Sequence, residues 1–252
     1  MRYFLLGLAL LLIGSVLASD RDDQTKCEKA LVAQLASDNF DTREKATDSL
    51  SELPFGRLES VFVWAKDNND AEAVMRLKKV AHNIFYKYQY NHNEQIVKMR
   101  TSIDVDTDCL FWIHVMPFPT AEVPNPEHRG VYVQYIKSID ANGVSNNKLE
   151  PDDLVSGIDG KPLDKFLSNV LVAGKPVKLT VMRFKNGHER AYQQGNVRED
   201  FFTTLEVEIT PRLIEITRDP EKQAVDRIIA DEYAKYLEER SRLHREKIHE
   251  KD

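Results

Sequence analysis

The stretch from Gly130 to Leu163 constrains this chain most, because its pattern leaves little choice of local structure. Val131 and Val133 alternate with Tyr132 and Gln134, the period of a strand with one buried face. Leu149-Glu150-Pro151-Asp152-Asp153 then sets a turn directly before a second apolar strand at Leu154-Val155. Ile158-Asp159-Gly160-Lys161-Pro162-Leu163 ends that strand in an Asp-Gly turn, where glycine takes a positive φ without steric cost. Asp153 and Gly160 are therefore expected to serve the fold rather than chemistry. Further on, Val177 to Arg183 alternates as a strand and Asn186-Gly187 is a hairpin signal. Ala191-Tyr192 begins a return strand, and Leu205 to Pro211 alternates again. Between the strands, Phe166, Leu167, Val170 and Leu171 fall at helical spacing and predict a helix over 164–172, broken by Gly174-Lys175-Pro176.

Taken together, these residues resemble the central part of a PDZ domain, in the circularly permuted form of bacterial HtrA-type (high-temperature-requirement) proteases. There the segment reads roughly as strand, Gly-Ser-Pro-Ala helix, Leu-x-Pro-Gly-Asp, apolar strand, Asn-Gly-Lys-Pro. The resemblance implies a PDZ-like β-sandwich or barrel over residues 99–217 and an extended peptide bound between an edge strand and a helix. It puts Leu110, Phe111, Trp112 and Ile113 on that strand, and Phe166, Leu167 and Val170 on that helix. Three departures matter. Asp152 stands where the family has glycine, and Asp140 to Asn147 lacks the proline and small-residue pattern. The counterpart of the family's carboxylate-binding loop, Cys109 to Val115, has no glycine. Bulky residues there crowd a backbone anion nest, so the expected ligand is an apolar peptide without strict need for a free C-terminal carboxylate. A PDZ-like domain whose strand is only a sheet edge is the bland alternative.

The residues before this module read as helices. Ala30, Leu31 and Leu35 share a face; Asp41 with Glu44 has capping-box spacing; Ala46, Leu50 and Leu53 follow, and Pro54 stops the helix. Leu58, Val61, Phe62 and Ala65 make the next stripe. Asp70 is an N-cap candidate for a longer helix carrying Val74, Leu77, Val80, Ala81, Ile84 and Phe85. Leu35 to Ala46 resembles the start of a HEAT-like helical repeat, with a plain helical bundle as the alternative. After the module, Asp219-Pro220 opens a last helix with Val225, Ile229, Tyr233, Tyr236 and Leu237 on one stripe. Beyond Leu237 the sequence is nearly all charged, and a solvated helix is expected there. The expected class is α+β: a leader over 1–18, a HEAT-like helical region over 19–98, the PDZ-like domain over 99–217, and a C-terminal helix over 218–252.

Arg2 followed by the apolar run Tyr3 to Val16, and then Val16-Leu17-Ala18, reads as a secretory signal peptide cleaved before Ser19. A secreted or periplasmic protein with no membrane span after cleavage follows. Cys27 and Cys109 either form one bridge or are two separate buried thiols. The formal net charge of -6, made more negative by loss of Arg2, disfavours nucleic acid as a partner. Asp104, Asp106 and Asp108 alternate like calcium ligands, but Cys109 stands at the glycine position and Val115 at the acidic twelfth one. The seven histidines have no ligand spacing, and neither a Gly-x-Ser-x-Gly elbow nor a phosphate loop occurs. No catalytic residue, metal or cofactor is expected. The function expected is non-enzymatic protein or peptide binding; the alternative is a regulatory or remnant subunit of an envelope protease system.

Overall fold

The computed structural model of the protein describes residues 24–115, 130–185 and 198–249. The leader, the Asn186-Gly187 hairpin and the Ala191-Tyr192 return strand lie outside them. The architecture is mixed α+β. It divides into two compact units, one of residues up to Asn93 together with Gln223 onward, the other Glu94–Lys222. The chain thus leaves a helical unit, builds a β-rich one and returns. No helix among the described residues is long and apolar enough to cross a membrane.

The helical unit holds α1 (24–34), α2 (Phe40–Ser51), α3 (Leu58–Asp67), α4 (Ala71–His92) and most of α6 (Asp219–His249). Asp70 caps α4 by accepting the Ala73 N–H at 2.8 Å. The cap of α2 lies at Asn39 rather than Asp41: Asn39 is extended and accepts the Thr42 N–H at 3.0 Å. Glu44, freed from any capping role, meets Arg76 of α4 at 2.5 Å, and Arg76 also holds Glu72 at 2.7 Å. Leu50, Leu77, Val80 and Ile84 are buried at the spacings that put them on one face of their helices. α6 docks by the same stripe: Val225 and Ile229 are buried, and Tyr233 and Tyr236 pack on Phe85 at 5.0 and 5.4 Å. Docking continues past Leu237, because Arg240 stacks over Phe62 at 4.3 Å and bonds Glu59 at 3.1 Å. From Ser241 to Glu246 the helix is exposed.

The β unit begins with α5 (Glu94–Arg100), and β1 (Thr101–Ser102) pairs with the late strand β8 (Arg212–Leu213). The main sheet is antiparallel, in the order β2 (Val105–His114), β3 (Gly130–Ile139), β4 (Leu154–Ile158), β6 (Val177–Phe184), β7 (Phe202–Ile209), with β5 (Lys161–Pro162) folded back on β4. Its two faces each carry apolar residues. Ile136, Val155, Leu179 and Ile209 join the larger core, while Val133, Leu154 and Phe202 join a smaller one. Neighbouring strand residues point to opposite faces, which is why Leu154 and Val155 serve different cores.

Two turns fix β4. Asp159 and Gly160 take φ values of 50° and 74°, the paired positive φ of a type I′ hairpin turn. Asp152 also has φ 74°, and Tyr135 donates its hydroxyl to the Asp152 carboxylate. Asp153, its side chain fully buried, accepts the Glu150 N–H at 2.8 Å and two N–H bonds from Arg183, both at 2.8 Å.

The helix expected over 164–172 is only a 3-10 turn, Leu167–Asn169. Phe166 is extended at φ -56° and ψ 141°, so no helix starts before it, and Gly174 at φ 78° turns the chain soon after. Leu167 and Leu171 are both pulled into the larger core, and that burial is met by a single tight turn. The cysteines are neither bridged nor buried: Cys27 and Cys109 are free and exposed.

Candidate functional site: the outer edge of β2

Among the described residues β2 pairs with no strand but β3, which makes its other edge the rim of the sheet there. That edge has two parts. Near its start the register with β3 slips: Thr107 faces Ile136 but Leu110 faces Gln134, so Asp108 and Cys109 form a bulge. The Asp108 carboxylate accepts the Cys109 N–H at 2.8 Å. From Leu110 to His114 the pairing is regular against Gln134 to Gly130. This second part is the stretch in which added main chain can extend the ladder.

Over the regular part lies an aromatic ledge. Trp112 is 50% exposed and Tyr132, its partner across the strands, 44%. Their rings meet edge to face at 5.0 Å and 70°. Gly130 makes this possible, since a Cβ there would overlap the indole of Trp112. On the same face of β3 as Tyr132 and one strand period along it sits Gln134, which is buried. Its carboxamide donates to Thr107 Oγ1 at 2.7 Å and accepts the Leu167 N–H at 2.8 Å. One side chain thereby holds the 3-10 turn against β2 and β3, and leaves Phe166, 43% exposed, beside them.

The seven residues singled out from sequence divide by strand alternation. Trp112 and Phe166 are exposed. Leu110, Phe111 and Val170 are half-buried, Leu110 against the larger core and Phe111 against the smaller one on the opposite face. Ile113 and Leu167, exposed by only 5% and 3%, are core residues and not lining. Tyr132, Gln134 and Asp108 belong to the edge and were not among the seven. The alternation of Tyr132 and Gln134 with Val131 and Val133 puts both on one face of β3, the face that Ile136 carries into the larger core.

Comparison of the chain with protein-family models, with curated proteins and with solved structures finds no match.

The other side-chain clusters are structural in character. Among the described residues no three His, Cys, Asp or Glu side chains converge as a metal site. In the helical unit Tyr86 donates to Asp226 at 2.8 Å, and burial first, then that bond, pushes its phenol up to about 12. Tyr236 is raised likewise, by burial and by its bond to Glu59. The Arg183 guanidinium is held above its ordinary value by Asp153. Each of these groups is committed to a partner within its own unit.

Proposed function

We propose that this is an exported, non-enzymatic protein-binding module, whose PDZ-like domain takes an extended peptide as an added strand on β2. The observation that carries the reading is the rim position of β2, which pairs with no strand but β3 among the described residues, with Trp112 and Tyr132 exposed beside it. Main-chain hydrogen bonds supply the affinity and the ledge selects apolar side chains. Two details favour the PDZ-like reading. Asp152 takes a positive φ at the position where the resembled pattern has glycine. The strand order puts β2 at the rim, with the turn around Phe166 tied to it through Gln134. The HEAT-like reading of α2 to α4 rests on successive helices with short connections, α2 and α3 both packing on α4, and buried apolar residues on each. Export rests on the leader-like residues Met1 to Ala18.

The element tied to β2 through Gln134 is a single 3-10 turn, and β2 begins with a bulge without glycine. Both features favour weak binding that does not depend on a ligand's free carboxylate. A peptide array tests this, each extended apolar sequence being offered as free acid and as amide. Comparable binding of both forms is expected. Binding of the free acids alone would refute the loosened requirement, and binding of neither would refute the groove. A regulatory subunit of an envelope protease system is the same reading with the bound chain specified, and a pull-down that recovers a protease would favour it.

A further inference from the structure

β7 forms the opposite rim of the main sheet: among the described residues it pairs with no strand but β6. The two strands match residue for residue, from Phe202 against Phe184 to Ile209 against Val177, without a bulge. Both ends give the same phase to this ladder. The Lys185 N–H bonds the Phe201 carbonyl, while the N–H and C=O of Lys178 are both taken up by Asp159. Lys178 therefore shares no ladder bond with Glu208 opposite it, and alternation turns the main-chain groups of Thr204, Glu206 and Glu208 away from β6. Their N–H groups meet no acceptor among the described residues. The Glu208 carbonyl accepts Lys148 Nζ at 2.9 Å, which closes the edge at that end. Side chains alternate along the same stretch. Leu205 and Val207 are half-buried against the larger core, and Thr204, Glu206 and Glu208 are exposed on the other face. The charge of Glu208 is offset by Lys178 across the ladder and by Lys148. Glu206 faces Thr180, whose hydroxyl it accepts at 2.9 Å, and it pairs with no cation among the described residues.

We infer that β7 is a strand-accepting edge in its own right, independent of β2, and that its partner is an extended segment of another protein carrying the triplet apolar–basic–apolar. An antiparallel segment exchanges main-chain hydrogen bonds with Thr204 and Glu206. Its basic residue then stands directly opposite Glu206, about 5.5 Å away between Cα atoms, and supplies the cation that Glu206 lacks. The residues on either side of it fall opposite Leu205 and Val207, on the other face, and extend the apolar surface there by one strand. The three points belong to consecutive residues of a regular strand, so one regular segment meets all of them. Glu206 also disfavours a second copy as the occupant. Antiparallel pairing of β7 with itself about Glu206 sets two carboxylates opposite each other, and pairing about Leu205 gathers the glutamates of both copies on one face.

The test combines fluorescence anisotropy with amide hydrogen exchange on the full chain. Three labelled, amidated peptides differ only in a central triplet, Val-Lys-Val, Val-Gln-Val or Val-Glu-Val. The Lys peptide is expected to bind about threefold tighter than the Gln peptide at low salt, and the Glu peptide weaker still. On binding, exchange should slow at the Thr204 and Glu206 amides. Glu206→Lys should make the Glu peptide the better of the two charged ones. Thr204→Pro removes an outward N–H and no ladder bond, a place where proline is tolerated, and should weaken the Lys peptide about fivefold. Glu206→Lys changes an exposed side chain and decides the matter alone if the proline variant does not fold. Binding that slows exchange only in β2 would overturn the inference and leave the reading of β2 intact, as would binding of no peptide at β7. Equal affinity of all three peptides, or an order unchanged in Glu206→Lys, would overturn the recognition of a basic residue. Concentration-dependent dimerisation that protects the same β7 amides without peptide would overturn it in favour of a second copy.

Discussion

Replacing Asp153 with alanine takes three hydrogen bonds out of the turn that starts β4. The carboxylate is fully buried, while Arg183 opposite it is 25% exposed and keeps Glu150 as a partner at 2.6 Å. Breaking a buried ion pair from one side costs about 3–5 kcal/mol, chiefly through the charge left behind. Here the stranded charge is Arg183, which reaches water and Glu150, so the lower part of that range applies. The orphaned Glu150 N–H adds about 1 kcal/mol. A loss of about 3–4 kcal/mol follows, equivalent to a fall in melting temperature of roughly 6–15 °C for a domain of this size. Differential scanning calorimetry reads the shift. Amide exchange locates it, because the Ile136 N–H bonds the Asp153 carbonyl and the Asp152 N–H bonds the Ile136 carbonyl. Faster exchange at both amides is expected. Asp153→Asn, which keeps the shape and one acceptor, should lose about half as much. An alanine variant that melts within about 2 °C of the parent would refute the reasoning.

Gly160→Val forces a β-branched residue to φ 74° and should cost more than about 1 kcal/mol, seen as a lower urea midpoint; an unchanged midpoint means the turn is not as described. Gly130→Ala should swing the Trp112 indole off β3, weakening its near-ultraviolet circular dichroism band and lowering peptide affinity about threefold, with little change in melting temperature. Tyr86 predicts an alkaline effect: its folded value of about 12 lies above the ordinary one near 10, so its contribution is whole below about pH 10 and is lost as pH rises toward 12. Urea midpoints of the parent should therefore fall more steeply between pH 10 and 12 than those of Tyr86→Phe, and parallel curves would contradict this.

Local pattern made the β unit readable where the period was unbroken. β3, β4, β6 and β7 lie where alternation puts them, and the Asp-Gly turn has the φ values glycine suggests. Alternation also separates core from surface, which is why Ile113 fails as a lining residue while Trp112 beside it succeeds. Around Leu167 a 3-10 turn replaces the expected helix, because helical spacing of Leu167 and Leu171 is equally met by one tight turn facing a core. The α2 cap sits two residues before the expected Asp41, because Asn39, Asp41 and Thr42 are all capping residue types and the backbone at Asn39 decides between them. Two features had no local signal at all. The apolar stripe of α6 is legible, but its polar pairs, Tyr86–Asp226 and Tyr236–Glu59, join residues far apart in sequence. The Gln134 clamp depends on Thr107 and the Leu167 N–H meeting across three elements.

Amide hydrogen exchange along β2, with and without an extended amidated peptide, tests the peptide-accepting edge most directly. An added strand satisfies the outward-facing amides between Leu110 and His114, so their exchange should slow on binding while the amides already bonded to β3 stay as they were. Binding that leaves every β2 amide unchanged, or that protects α3 and α4 of the helical unit instead, would contradict the account.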